Sequence, residues 1–336
     1  MHRSTLNRIT RASLLAGALA ASWETALADT PPDYGYQWAT IGSLGNRPAN
    51  ENEAMFPMGS VGYTYRMSTT EIPVRQWCEF VQAYAPFKAG NPNESAFTSI
   101  WIGRDASGTY TYDPARKDFP VDVSWEYAAR YCNWLQNGKA SQAQAFEKGV
   151  YDASTFTFNA NGSANHNYTH APDARYWIPT FDAWIKGTYY DPAKSGSGQD
   201  GYWAYPNSSD SPPTPDLPGT PGATTNAGIP LSEDALSVGS YPDAKSPWGL
   251  LDTSGGLREW TSSDDQTVAR RVMVQGSTAG DSLYTFTDYL GSAGLFSTAP
   301  VTTYGIRLAS TAPAPGVGIV LSIFAFYNAR RKRICQ

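Results

Sequence analysis

The segment from Trp248 to Trp260 carries residues suited to binding a hard cation. Asp252 and Glu259 lie on either side of the glycine pair Gly255-Gly256. A turn at the glycines can bring both carboxylates onto one ion, and backbone carbonyls of the turn can complete the oxygen shell that calcium prefers. The alternative is a glycine-rich turn with two solvated acids, since such compositions are common in turns.

Helices are expected to position this segment. Pro73 suits the first turn of a helix, and the apolar residues after it recur on one helical face. The spacing therefore predicts a helix with the buried face Val74, Trp77, Val81 and Tyr84. A second helix is predicted after a cap at Ser124, with the buried stripe Trp125, Ala128, Ala129, Cys132 and Leu135. A third is predicted over residues 180–190, strands over 63–68, 270–274 and 304–309, and a long loop over 91–118.

The glycine-rich segment resembles the Gly-Leu-x-Asp/Asn-x-x-Gly-Asn-x-x-Glu-Trp signature of the formylglycine-generating enzyme (sulfatase-modifying factor) family, with Gly256 in place of the Asn. Other segments resemble further motifs of that family in the same order. These are Tyr65–Val74, Pro120–Trp134, Arg175–Trp184, Arg271–Ser277 and Gly305–Ala309. The resemblance covers residues 36–310 as one domain. It implies an α+β, C-type-lectin-like fold that is loop-rich, with short strands and few helices.

The resemblance also implies calcium ligands at particular positions. The family uses two side chains and two main-chain carbonyls, which fall here on Asp252, Gly255, Leu257 and Glu259. A second family site would begin near Asn226 and Ala227, with Asp234 as a possible carboxylate. A cation held by these loops would stabilise the native state by its binding energy, so calcium is the expected cofactor.

The catalytic thiols of the family have no counterpart here. Known members oxidise a cysteine of a sulfatase to formylglycine with two cysteines that hold copper as thiolates, the soft ligand that copper(I) selects. The matching window, residues 278–304, contains no cysteine. We therefore assign no catalytic residue and no copper. The resemblance also implies a disulfide from the position of Cys132 to that of Leu308, so Cys132 either bonds Cys78 or both remain buried thiols.

Both termini indicate export. Residues 1–28 have a basic start, a short apolar run and a small-x-small cleavage site, as in a signal peptide. Residues 313–336 combine prolines, an apolar stretch and an arginine cluster, and resemble the sorting tails of PEP-CTERM proteins. We expect an exported protein of the bacterial cell envelope, cell surface or extracellular space, with transient membrane association through this tail. A disordered basic tail is the alternative.

The composition of the chain limits the kinds of partner that are expected. The net charge is −5 and no Lys/Arg cluster interrupts the body of the chain, which argues against nucleic acid. The aromatic loops Tyr189-Tyr190 and Gly201–Tyr205 are either contact surfaces or interior packing. His166 and His170 lack an evident third metal ligand, so surface-loop histidines are expected there.

Three functions remain open at this point. The first is an exported surface protein of the sulfatase-modifying-factor type that lacks copper-dependent oxidase activity and binds a glycan or a peptide, stabilised by calcium. The second is a formylglycine-generating oxidase with altered metal ligands. The third is a structural component of an extracellular matrix.

Overall fold

The computed structural model describes residues 30–88, 94–158, 160, 164–227, 229, 236–264, 272–275, 288–290, 296–298 and 303–313. The predicted signal peptide and all of the predicted tail beyond Pro313 lie outside these residues. Residues 30–313 form one compact unit. Among the described residues, no helix has the length and apolar character needed to cross a bilayer.

Short helices occupy the first two thirds of this unit. They are α1 (Val74–Tyr84), α2 (Glu94–Thr98), α3 (Trp125–Gln136), α4 (Ala143–Glu147) and α5 (Phe181–Tyr189). The three longer ones are the helices that the sequence predicts. Every residue of the predicted buried faces of α1 and α3 is less than 7 % exposed. The apolar periodicity of each of these two helices therefore predicts which of its faces packs against the core.

Strands are short and mostly antiparallel. They are β1 (Trp38–Ile41), β2 (Tyr65–Ser68), β3 (Ile102–Arg104), β4 (Tyr110–Tyr112), β5 (Tyr176–Trp177), β6 (Tyr190–Asp191), β7 (Gly201–Tyr202), β8 (Glu259–Asp264), β9 (Val272–Gln275), β10 (Phe296–Thr298) and β11 (Ala309–Thr311). One sheet has the order β1-β2-β11-β5 and another the order β10-β9-β8. Pairing of β2 with β11 joins the start of the domain to its end. The expected loop-rich α+β architecture is thus confirmed.

Aromatic side chains fill the space between α1 and α3. Trp77 of α1 packs against Tyr131 of α3 with ring centroids 5.1 Å apart, and Phe80 meets Tyr131 edge to face at 5.4 Å. The buried Trp77 indole donates to the carbonyl of Phe97 at 2.8 Å. Each large ring buries apolar area while its polar atom finds a partner, so few helices suffice to build a dense core.

One prediction about loops is wrong, and one pair of alternatives is decided. Residues 91–118 are not a plain loop, because they contain α2 and the β3–β4 hairpin. The aromatic loops are interior packing: Tyr189, Tyr190, Tyr202 and Tyr205 are all buried. The Tyr202 hydroxyl lies 2.9 Å from the amide nitrogen of Asn46, from which it accepts. These tyrosines therefore offer no contact surface.

Candidate functional site

A buried arginine ties together the elements around the glycine-rich turn. Arg307, which precedes β11, is fully buried. Its guanidinium donates to the carbonyls of Ser68 at 2.9 Å and Leu251 at 2.8 Å, and to Glu259 at the start of β8 at 2.8 Å. The end of β2, the loop before the turn and β8 thus meet on one side chain, as suits a rigid planar fork of donors.

Buried donors occupy most of Glu259. Arg307 Nε–H is shared between both carboxylate oxygens, at 3.1 and 3.0 Å. Trp184 Nε1 of α5 donates to Oε2 at 2.7 Å. With the Nη2 contact on Oε1, three N–H groups donate to a carboxylate that can accept about four hydrogen bonds. Glu259 as it stands here does not fit the role of a calcium ligand.

The glycine pair is required by close packing. Gly255 has φ +78°, and a Cβ there would lie 2.0 Å from Asn226 Oδ1. Asn226 is buried, and its Oδ1 accepts from the Gly256 amide at 2.9 Å. No other residue type tolerates both the left-handed backbone and this contact. The turn is therefore fixed against the loop that contains Asn226, which lies 30 positions earlier in the chain.

Beside the turn lies a small cavity that we call the acidic cavity. Its volume is about 20 Å³. Its lining consists of Glu71, Asn226, Leu236, Ser237, Val238, Ser240, Tyr241, Asp252, Ser254 and Gly256. A polar cavity of this size accommodates one water molecule or one small ion. Two acidic residues that lie far apart in the chain, Glu71 and Asp252, therefore line one small space.

The carboxylates of this cavity differ from Glu259 in their partners. Glu71 is 1 % exposed. Its Oε1 accepts from the Leu257 amide at 3.0 Å, and no described residue donates to its Oε2. Asp252 has φ +56°, and its Oδ2 accepts from the Gly239 amide at 2.6 Å. Each carboxylate thus retains acceptor capacity that the protein does not fill.

Burial and mutual repulsion disfavour the charged forms of these two groups. The pKa of Glu71 is raised well above its usual range, first by burial and then by the charges of Glu259 and Asp252. Burial also raises the pKa of Asp252 to about 6, against the opposing effects of Gly239 and Arg307. Three carboxylates therefore share the field of one guanidinium, and an added positive charge would favour their ionised forms.

The structure divides the sequence-predicted ligand set. Asp252 and Asn226 line the acidic cavity, whereas Gly255, Leu257 and Glu259 do not. Within the described residues, no three or more His, Cys, Asp and Glu side chains form a metal-binding group. A cation here would thus depend on two carboxylates and neutral oxygens. Asp234, the possible carboxylate of the second family site, lies outside the described residues.

Sequence reasoning missed Glu71 and Arg307 as members of the site, although both lie in motifs that it recognised. A signal exists for each of them. Arg307 stands between Ile306 and Leu308, and Glu71 stands directly before Ile72. A charge enclosed by apolar neighbours near a strand is expected to need a buried partner.

A larger polar cleft opens next to the acidic cavity, and Ser237 and Val238 line both. Its volume is about 340 Å³, within the range of small-molecule sites. Gln76 of α1 is 6 % exposed and lines this cleft. The Gln76 amide donates to Tyr34 O at 3.3 Å, while its buried Oε1 has no hydrogen-bond partner among the described residues. The wall of the cleft thus contains a polar side chain with an unused acceptor.

The thiols and the histidines lie elsewhere. Cys78 and Cys132 are buried and unbonded to each other, which corresponds to the second of the two alternatives. Burial raises the pKa of Cys78 to about 11 and raises that of Cys132. His166 is buried, not at the surface as predicted, and stacks on Phe156 with centroids 4.4 Å apart.

Comparison with known proteins identifies the family. Residues 40–312 match the sulfatase-modifying factor enzyme 1-like domain. The chain belongs to the sulfatase-modifying factor family. The match spans most of the chain and agrees with the motifs described above.

Other comparisons give more distant similarity. A structure described as the crystal structure of CarF is 18 % identical, with a TM-score of 0.47, covering 83 % of this chain and 99 % of that chain. PvdO from Pseudomonas aeruginosa is 14 % identical, with a TM-score of 0.42, covering 82 % and 92 %. No curated protein sequence matched the chain. The family assignment therefore stands on the domain match.

Proposed function

We propose that this chain is a binding member of the sulfatase-modifying factor family, stabilised by calcium, that does not oxidise cysteine. The observation that carries the proposal is the 340 Å³ polar cleft with the buried, unpartnered Gln76 Oε1 in its wall. A buried carbonyl without a donor costs free energy that a bound hydroxyl or amide would recover. The cleft therefore resembles a preformed binding site.

The chemistry of the cleft favours a hydroxyl-rich ligand. Its wall includes Thr70, Arg75, Gln76 and Ser237, and Arg75 pairs with Asp118 beside it. These groups supply both donors and acceptors, as hydroxyl recognition requires. We therefore propose a glycan as ligand, with a peptide as the other outcome of the test.

The thiol chemistry supports binding over oxidation. The sequence between residues 278 and 304 holds no cysteine. Cys78 and Cys132 are buried with raised pKa values, and a thiol must be deprotonated to bind copper. Incubation of the copper-treated protein with oxygen and a cysteine-containing sulfatase peptide tests this point. We expect no aldehyde in the peptide by mass spectrometry; its formation would establish the oxidase with altered ligands.

Glycan and peptide arrays test the binding. The wild type is compared with Gln76→Met, which removes the acceptor at similar length. The control is Gln82→Met on the same helix, because the Gln82 amide donates to Tyr110 O at 2.8 Å and the residue lies outside the cleft lining. We expect glycan signals that Gln76→Met lowers at least tenfold and Gln82→Met preserves. Binding to neither array would favour the matrix component.

We also propose export and surface association, on the basis of the sequences of residues 1–28 and 313–336. Expression of the full chain in a bacterial host with an export pathway tests this. Sequencing of the mature N-terminus should find cleavage after residue 28. An intact N-terminus in the cytoplasmic fraction would contradict the proposal.

A further inference from the structure

Glu259 does not occupy the role that the family resemblance implies for it. Three buried N–H groups of Arg307 and Trp184 already donate to its two oxygens. A calcium ion bound by both oxygens would have to displace at least one of these donors. Because Arg307 and Trp184 are fully buried, the displaced N–H group would have no water molecule to donate to. The neighbouring carboxylate of Glu71 accepts only one hydrogen bond from the described residues.

We propose that the acidic cavity binds one calcium ion with Glu71 and Asp252 as its carboxylate ligands, and that Glu259 is not a ligand. Glu71 is 1 % exposed, lines the cavity and has an Oε2 to which no described residue donates. Asp252 lines the same cavity. The cavity volume of about 20 Å³ provides room for a single water-sized occupant.

Neutral oxygens complete the donor set. Asn226, Ser240 and Ser254 also line the cavity. Asn226 Oδ1 accepts one hydrogen bond, from Gly256, and a carbonyl oxygen has a second lone pair to offer. An all-oxygen set of carboxylates, amide and hydroxyls matches the preference of calcium and is poor for soft metals. The set therefore selects a hard cation.

The proposal predicts the location of calcium dependence. It extends the calcium stabilisation in the proposed function but does not depend on the polar cleft, so negative arrays would leave it intact. The ion would connect the loop before α1, the Asn226 loop and the turn at Asp252. Binding would then stabilise the native state in proportion to calcium concentration.

Thermal unfolding of chelator-treated, purified protein tests the proposal. The wild type is scanned with EDTA and then with calcium chloride, alongside Glu71→Gln, Asp252→Asn and Glu259→Gln. We expect calcium at roughly 100 times its Kd to raise the wild-type melting temperature by about 5 °C or more. Glu71→Gln and Asp252→Asn should reduce this increase strongly, because each keeps an oxygen ligand but loses the negative charge that attracts the ion. Glutamine keeps an acceptor for Leu257, and asparagine tolerates the left-handed backbone at 252.

Glu259→Gln is the discriminating variant. We expect it to melt at a lower temperature than the wild type in EDTA, because Arg307 loses its charge partner, and yet to retain the calcium increment. Loss of the increment in Glu259→Gln with retention in Glu71→Gln would overturn the proposal in favour of the family-aligned ligands. A wild type that neither melts higher with calcium nor binds it by titration calorimetry would overturn it entirely, leaving a water site.

Discussion

Two glutamates of this protein share the same burial but differ in their surroundings. Glu71 and Glu259 are each 1 % exposed. Glu259 accepts from Arg307 and Trp184 on both oxygens, whereas Glu71 accepts one hydrogen bond, from Leu257. Burial therefore does not separate a structural carboxylate from a ligand. The number of protein donors differs between them: three N–H groups donate to Glu259 and one to Glu71, which leaves Glu71 more lone pairs for a cation.

The largest loss of stability is expected when the charge partner of Glu259 is removed. Arg307→Met leaves the Glu259 carboxylate buried without its counter-charge. We expect a loss of about 3–5 kcal/mol in the free energy of unfolding, the usual cost of breaking a buried pair. Urea denaturation followed by tryptophan fluorescence measures it.

The control is an ion pair nearer the surface. Arg47 contacts Glu53 at 2.6 Å, but its side chain is 35 % exposed. Arg47→Met should therefore cost about 1 kcal/mol or less. Equal losses in the two variants would show that the Arg307 network has no special importance for stability.

Acidic pH provides the next test, because the buried His166 gains a proton as the pH falls. Burial and the charge of Arg130 lower the pKa of His166 to about 4, from an ordinary 6.5. Since the folded-state pKa lies below the unfolded one, the contribution of His166 is complete above pH 6.5 and is lost as the pH falls toward 4. We expect a loss of about 3 kcal/mol across this window.

His166→Phe should reduce that slope, because a phenyl ring keeps the packing on Phe156 and Trp125 without a proton to gain. Denaturation series at several pH values between 4 and 7 measure the difference. An unchanged slope in His166→Phe would assign the acid sensitivity to other groups, with the carboxylates around Arg307 as the first to test.

The glycine turn between the two glutamates gives a smaller, local effect. In Gly255→Ala, the new methyl group would lie 2.0 Å from Asn226 Oδ1 at φ +78°. We expect a loss of about 2 kcal/mol or more from backbone strain and steric displacement. Gly219→Ala is the control, since it has φ +88° with no atom within 4 Å of the added carbon. A loss no greater than that of the control would show that Asn226 moves without cost.

Sequence patterns predicted the helices better than they predicted the side-chain contacts of the candidate site. Val74, Trp77 and Val81 identified a helix face because helical periodicity is a local property. The pairing of Arg307 with Glu259 joins residues 48 positions apart, and that of Glu71 with Leu257 joins residues 186 apart. Nothing local specifies which of several acids an arginine neutralises. The family motif predicted that Glu259 lies near the turn. It did not predict that the guanidinium of Arg307 contacts Glu259.

The same distinction between position and partner appears at the helix caps. The sequence predicts Ser124 as the cap of α3, and Ser124 occupies that position, but its buried hydroxyl has no hydrogen-bond partner. Thr180 caps α5 and accepts from the Ala183 amide at 3.1 Å.

We therefore expect Thr180→Ala to lower the free energy of unfolding by about 1 kcal/mol. Ser124→Ala should change it by less than about 0.5 kcal/mol, because it removes a polar group that makes no bond. Parallel urea denaturation of the two variants measures the difference. A loss from Ser124→Ala as large as that from Thr180→Ala would mean that a donor reaches Ser124 in solution, and that counting partners underestimates how well buried polar groups are satisfied in this fold.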